Sequence, residues 1–401
     1  MKKIQSSIIA AAAALLCAAS CVYEFNAYPS TSDDYQFLVV DGMINVGEVS
    51  SFNLLYSVAL DAASMPSYPI YENPYELRVE DEDGMVYEGV RDKSITSSYH
   101  YDVDTRDVPK GKACRVVIQE KNGTNKYTYV SDFSVAKEGA VIDSVYEKQN
   151  SETLACEIYV DFHNDAPGEK YFLWKYKETW EYHPYYMAEV KCTGLRNGKP
   201  VYEELDTNLF YYCWNTYESS EILLATTDNL KENTLKGHQL YSVPRGNMKL
   251  STLYASDVQL YTIDAAAYKY WKTMRSNSVE TNSILSAQPS ELKGNIVCRQ
   301  NPDVVVLGYV GAVHADTRRI FVRNGSPNVY VQGYDYYHED MQLPDGESAE
   351  ELEDAWQAIL AGGYYLPVTA SPELWASARC VDCTKSGGNK NKPDWWPNSH
   401  E

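Results

Sequence analysis

The sequence predicts a mainly β protein: two immunoglobulin/fibronectin-like β-sandwich domains, with a few short helices in the C-terminal part. Three observations carry this. Short segments of alternating apolar and polar residues recur between turn dipeptides, as at 75–80 and 85–87 around Asp83-Gly84, the pattern of hairpins in an all-β domain. Tyrosine is abundant, 35 residues against 8 Phe and 8 Trp, and it favours strands and half-wet faces. Helix signals are confined to the second half of the chain.

Residues 1–20 read as a secretory signal. Lys2 and Lys3 precede an apolar run from Ile8 to Ala19, and small residues then close on Cys21. This matches a lipobox, in which the cysteine is acylated and becomes the first residue of the mature chain. A plain cleaved signal with an unmodified cysteine is the alternative. The run is too short to span a bilayer as a mature helix. Each buried acyl methylene contributes about 0.8 kcal/mol to membrane attachment, so several chains on Cys21 hold a protein stably. Residues 21–34 are polar, contain Pro and Ser, and read as a lipidated tether.

Residues 35–136 form the expected N-terminal sandwich. A strand at 37–44 pairs with 51–60, the Asp83-Gly84 hairpin follows, and a second hairpin runs from 114–119 to 127–130 around Asn122-Gly123. Residues 137–330 form the expected second sandwich, with strands at 141–146, 157–162 and 171–176 and Trp174 in its core. Asp264 caps an inserted helix from Ala265 to Trp271, with Tyr268 and Trp271 on one core-facing side. The apolar run 304–310 reads as a buried strand, with 320–323 as its neighbour. Residues 331–401 hold a tyrosine cluster and a second helix. Ser348 and Glu351 make a capping box. Leu352, Trp356, Ile359 and Leu360 make an apolar stripe, and Gly362-Gly363 stops it.

The formal net charge of -21 argues against nucleic acid as a partner and against charge-driven binding to anionic lipid. Export permits disulfides, and the candidates are Cys192, Cys213, Cys298, Cys380 and Cys383. A Cys192 to Cys213 bridge would close one excursion; two unpaired thiols are the alternative. Cys298 joined to Cys380 or Cys383 would pin the C-terminal segment to the second sandwich; a metal knuckle or free thiols are the other readings of Cys380-x-x-Cys383, and a knuckle needs two further ligands. The acidic turn 80–84 suits hairpin geometry without calcium. The histidines are scattered without ligand spacing, and no hydrolase, zincin or phosphate-loop motif occurs. The reading is therefore non-enzymatic, with no metal and no cofactor. Trp180, Tyr182, Tyr185, Tyr186 and Trp214 are the candidate ligand-facing aromatics, weighed against burial in the sandwich.

Several segments together resemble a known family: the Cys21 lipobox, the 37–44 strand, Tyr268-Lys-Tyr-Trp271, Gln288-Pro-Ser290, Gly294-Asn-Ile296, 306–310, and the closing Cys380-Val-Asp-Cys383 with its Gly-Gly and Lys-Pro-Asp-Trp end. In this order they resemble the domain-of-unknown-function 4249 family of Bacteroidota outer-membrane lipoproteins. The resemblance implies an accessory lipoprotein of a TonB-dependent transporter, and the family has no defined catalytic residues to carry over. The resulting expectation is an outer-membrane, lipid-anchored binding subunit for nutrient uptake, with a glycan or peptide ligand. A structural or adhesive surface lipoprotein is the alternative.

Overall fold

The computed structural model describes residues 37–57, 73–121, 126–137, 139–197, 199–206, 210–280, 292–323, 340–341, 348–362, 365–367 and 375–398. Cys21, the Asn122-Gly123 turn, Gln288 to Ser290 and the tyrosine cluster at 330–337 lie outside the described residues. Strands dominate, as expected. Among the described residues no helix is long and apolar enough to cross a membrane.

The first body contains β1 (Leu38–Gly42), β2 (Ile44–Asn45), β3 (Val49–Tyr56), β4 (Tyr75–Asp81), β5 (Val86–Asp92), β6 (Tyr99–Asp104), β7 (Ala113–Glu120), β8 (Thr128–Ser131) and β9 (Ser134–Val135). Its strands alternate in burial; along β4, Tyr75, Leu77, Val79 and Asp81 point inward, the period-2 pattern of a one-faced sheet. Asp81 is the polar exception. Its carboxylate accepts from the Asp83 and Met85 amides at 3.0 and 2.8 Å and so fixes the turn that Gly84 completes at φ 86°.

The second body is a two-sheet sandwich. One sheet is β10 (Val141–Gln149), β11 (Cys156–His163) and β17 (Thr234–Val243). The other joins β15 (Cys213–Glu218), β12 (Tyr171–Tyr182), β18 (Leu253–Ile263) and β22 (Ala315–Arg323), with β16 (Leu223–Thr226) also on β12. Trp174 is fully buried between them, edge-on to Phe162 at 5.2 Å, and Phe172 meets the same ring at 4.8 Å. Each such side chain contributes about 1.5–3 kcal/mol through burial.

The boundary at residue 136 does not close the first body. After helix α1 (Ala265–Glu280) the chain returns as β19 (Ile296–Cys298), β20 (Val306–Leu307) and β21 (Ala312–Val313). β19 pairs with β8, β20 pairs in parallel with β1, and β21 pairs in parallel with β2. The first sheet thus has 10 strands and wraps one core that includes Ile296, Cys298, Val306 and Val310. The run 304–310 is therefore only a two-residue strand, and 320–323 is no neighbour of it but lies in β22 beside β18. Close backbone approach explains the short pairing. A Cβ on Gly308 would sit 2.2 Å from the Val40 carbonyl, and one on Gly294 would sit 1.8 Å from the Gly308 carbonyl.

The C-terminal part is not separate either. In the excursion β13 (Val190–Arg196) and β14 (Lys199–Glu204), β13 packs against α2 (Ala349–Gly362) and β24 (Tyr365–Pro367), and Tyr202 of β14 meets Trp375 of β25 (Trp375–Ser377); β23 (Asp340–Met341) and α3 (Ala378–Val381) pack in turn on β25. Ala188, Ala376, Cys380 and Val381 form their shared core. The expected capping box is present: the Ser348 and Glu351 side chains exchange bonds with each other's amides at 3.2 Å. Asp264 caps α1 through the Ala267 amide at 2.7 Å, but that helix runs past Trp271 to Glu280.

Candidate ligand-binding cleft

The two bodies are joined by a packed seam. Leu173, Tyr261, Ile263 and Ala267 of the second body meet Val313, with Met43, Tyr268, Trp271 and Tyr309 around them. On the first body's side of the seam, Asn295 clamps Val310 by both its amide groups, at 2.7 and 2.8 Å, and the Ala312 amide donates to Ser134 Oγ at 2.6 Å. Tyr309 donates to Asp264 at 3.3 Å, and burial pushes both Tyr270 and Tyr309 up to about 12. Of the segments carrying the family resemblance, Tyr268 to Trp271 and Tyr309 therefore build this seam, while Ile296, Val306 and Val310 belong to the core of the first body.

Beside the seam, the outer faces of two sheets confront each other. On β12, Phe172, Trp174 and Tyr176 are buried, so Lys175 and Lys177 fall on the opposite face. Antiparallel register then places Glu218, Lys177, Asp257 and Arg319 in one row across four strands, with Lys175, Gln259 and Thr317 in the next. In the first body Phe52, Leu54, Tyr101 and Val103 point inward, which leaves Ser51, Asn53, His100 and Asp102 outward. The two faces and the α1 residues Trp271 and Met274 enclose a cleft of about 850 Å³.

Part of this lining is already held in place. Arg319 donates to both Asp257 oxygens at 2.5 and 2.7 Å, and its guanidinium stacks 3.4 Å from the Trp395 ring centre. A bidentate, stacked arginine is the stiffest of charged pairs. On the facing wall, Ser51 donates to Asp102 at 2.6 Å, His100 Nε2 lies 3.3 Å from the same carboxylate oxygen, and His100 Nδ1 lies 2.8 Å from Asn53. Serine, histidine and aspartate are together here, but the aspartate stands between the other two. Nucleophilic activation needs the histidine bonded to the serine hydroxyl, and His100 is bonded to Asn53 and Asp102 instead. Ion pairs and hydrogen bonds among these side chains thus line both walls of the cleft.

The structure distributes the sequence-predicted residues differently. Trp180, Tyr182 and Trp214 are buried, so they are not ligand-facing; Tyr185 is exposed and Tyr186 half-buried, packed edge-on at 4.5 Å on the excursion. The buried three serve the core and the C-terminal clasp. Tyr182 donates to the Cys383 carbonyl at 2.9 Å, Trp214 exchanges backbone bonds with Asn389, and Trp396 donates to Glu181 at 2.7 Å. Cys213 is bridged to Cys383 and not to Cys192. Cys298 belongs to β19 in the first body, which puts it on a different core from Cys380. Cys192, Cys298 and Cys380 keep their thiols. Sequence reasoning missed Lys175, Lys177, Asp257 and Arg319. Their period-2 placement opposite buried aromatics was readable, but it marks any outward sheet face.

A family model described as a domain of unknown function, DUF4249, matches residues 24–319. The chain belongs to the DUF4249 family. The matched range takes in the seam and the described residues that line the cleft, ending at Arg319 within β22, while the disulfide partner Cys383 and the Trp395 and Trp396 pair lie beyond it. No curated protein matches this DUF4249 chain.

Proposed function

We propose that this chain is a non-enzymatic binding subunit, tethered to the outer membrane by lipid on Cys21 and docked on a TonB-dependent transporter for nutrient uptake. The cleft of about 850 Å³ carries the reading. A polar recess between two bodies is where ligands characteristically bind, and its volume falls in the usual range for such sites. The lipobox before Cys21 supports the tether. The seam supports a receptor role, because it fixes the two walls relative to each other without filling the space between them.

Two measurements test this reading. Metabolic labelling with a fatty acid should mark the wild-type protein and not the Cys21→Ala variant. Pull-down from solubilised outer membrane should recover a transporter with the wild type. An unlabelled wild-type protein, or one that brings down no transporter, contradicts the proposal. Deletion that abolishes attachment while leaving growth on every single nutrient intact would move the function to a structural or adhesive surface protein.

A further inference from the structure

We infer that the cleft takes a short extended peptide carrying charged side chains, not a neutral sugar. This rests on the binding role proposed above and names the ligand class for it. Among the described residues, Lys175 and Lys177 have no ion-pair partner, and neither do Asp41, Glu218 and Glu221. Unengaged groups of both signs therefore line one recess, while the neighbouring Asp257 and Arg319 satisfy each other. Such a lining complements a ligand that itself carries both signs.

Spacing adds to the argument. Lys175 and Lys177 are alternate residues of one strand, so their attachment points repeat at about 6.6 Å on the same face. Same-face side chains of an extended peptide repeat at the same pitch. Two acidic side chains of a bound strand, two positions apart, would meet both ammonium groups. The ligand's amino terminus or a basic side chain would then face Asp41 or Glu221. A sugar, by contrast, is held by flat exposed rings as well as hydrogen bonds. Among the described residues lining the cleft, Trp271 is the one Trp, Tyr or Phe, and its ring is packed edge-on against Tyr270 at 5.3 Å.

The test uses the full mature lipoprotein in detergent and calorimetric titration. The probes are a pentapeptide with free termini and glutamate at its second and fourth positions, its glutamine analogue, and maltohexaose. The glutamate peptide should bind, with affinity falling as salt screens the charges. The glutamine analogue should bind at least tenfold more weakly. The Lys175→Ala, Lys177→Ala double variant should lose the same tenfold with an unchanged melting temperature. If that variant misfolds, Lys177→Gln keeps the stem and gives the same reading. Binding of maltohexaose and not the peptide overturns the peptide assignment but leaves a binding subunit. Equal peptide affinity in the lysine variants overturns the cleft as its site. If no probe binds, the inference fails, and recovery of the transporter in the pull-down separately decides whether the accessory role stands.

Discussion

Cys192 carries a half-exposed thiol on the β13 and β14 hairpin, whereas Cys114, Cys156, Cys298 and Cys380 are buried. Burial pushes the Cys114 thiol up to about 11 and the Cys156 thiol up to about 12, so neither supplies thiolate at neutral pH. A coloured disulfide reagent added to the native protein should find one fast thiol among these five, and Cys192→Ser should remove it; a fast phase that survives the substitution contradicts the burial pattern. Glu80 makes a second prediction. Burial opposes its ionisation, but hydrogen bonds from Arg115 and Arg78 outweigh this and hold the carboxyl below its ordinary 4.5. A depressed carboxyl stabilises the fold above its unfolded value and loses that contribution as pH falls through the folded one. Unfolding of wild type and Glu80→Gln should therefore differ at pH 7 and converge on acidification below about 4.5. A gap that stays constant with pH would contradict the pairing. Residue-level signals of this local kind were the most legible. Ser348 with Glu351, Asp264, and Asp83-Gly84 each act within four residues, and each does in the structure what its spacing predicts.

At the scale of elements, the disulfide ties β15 to the C-terminal tail across 170 residues of sequence. Loop-closure entropy over that separation gives about 5 kcal/mol as an upper figure. The tail has other holds: the Trp214 and Asn389 ladder, and Trp396 on Glu181. The Cys213→Ser, Cys383→Ser variant should therefore free the tail to limited proteolysis while the cores around Trp174 and Phe52 stay protected. Protection of the tail equal to wild type would show the bridge to be dispensable. Cysteine counting announced that bridges were available, but pairing is a tertiary fact. Cys192 is nearer in sequence, yet the register that sets Cys192 opposite Tyr202 and Cys213 opposite Tyr182 parts them. The strands of both sandwiches were readable because each buries one face. The destination of 296–313 was not, because a parallel return to β1 leaves no local pattern.

Among the described residues the chain passes between the bodies three times: near residues 136–140, between α1 and β19, and between β21 and β22. The first body is completed only by residues that lie in sequence between β18 and β22 of the second sandwich. A fragment of residues 22–136 should consequently fail to fold, lacking the strands that close its core, and the intact protein should unfold the two bodies in one calorimetric transition. A folded fragment, or two separate transitions, would restore two independent domains. This interleaving is also what makes the cleft: each wall is an ordinary outward sheet face, and neither Lys177 nor Asp102 signals a site until the seam sets the walls opposite each other. Amide hydrogen exchange, with and without the glutamate pentapeptide, tests that claim most directly. The account predicts slowed exchange confined to β3, β6, β12, β18 and β22 around the cleft; protection confined to the Tyr185 and Tyr186 excursion, with those strands unchanged, would contradict it.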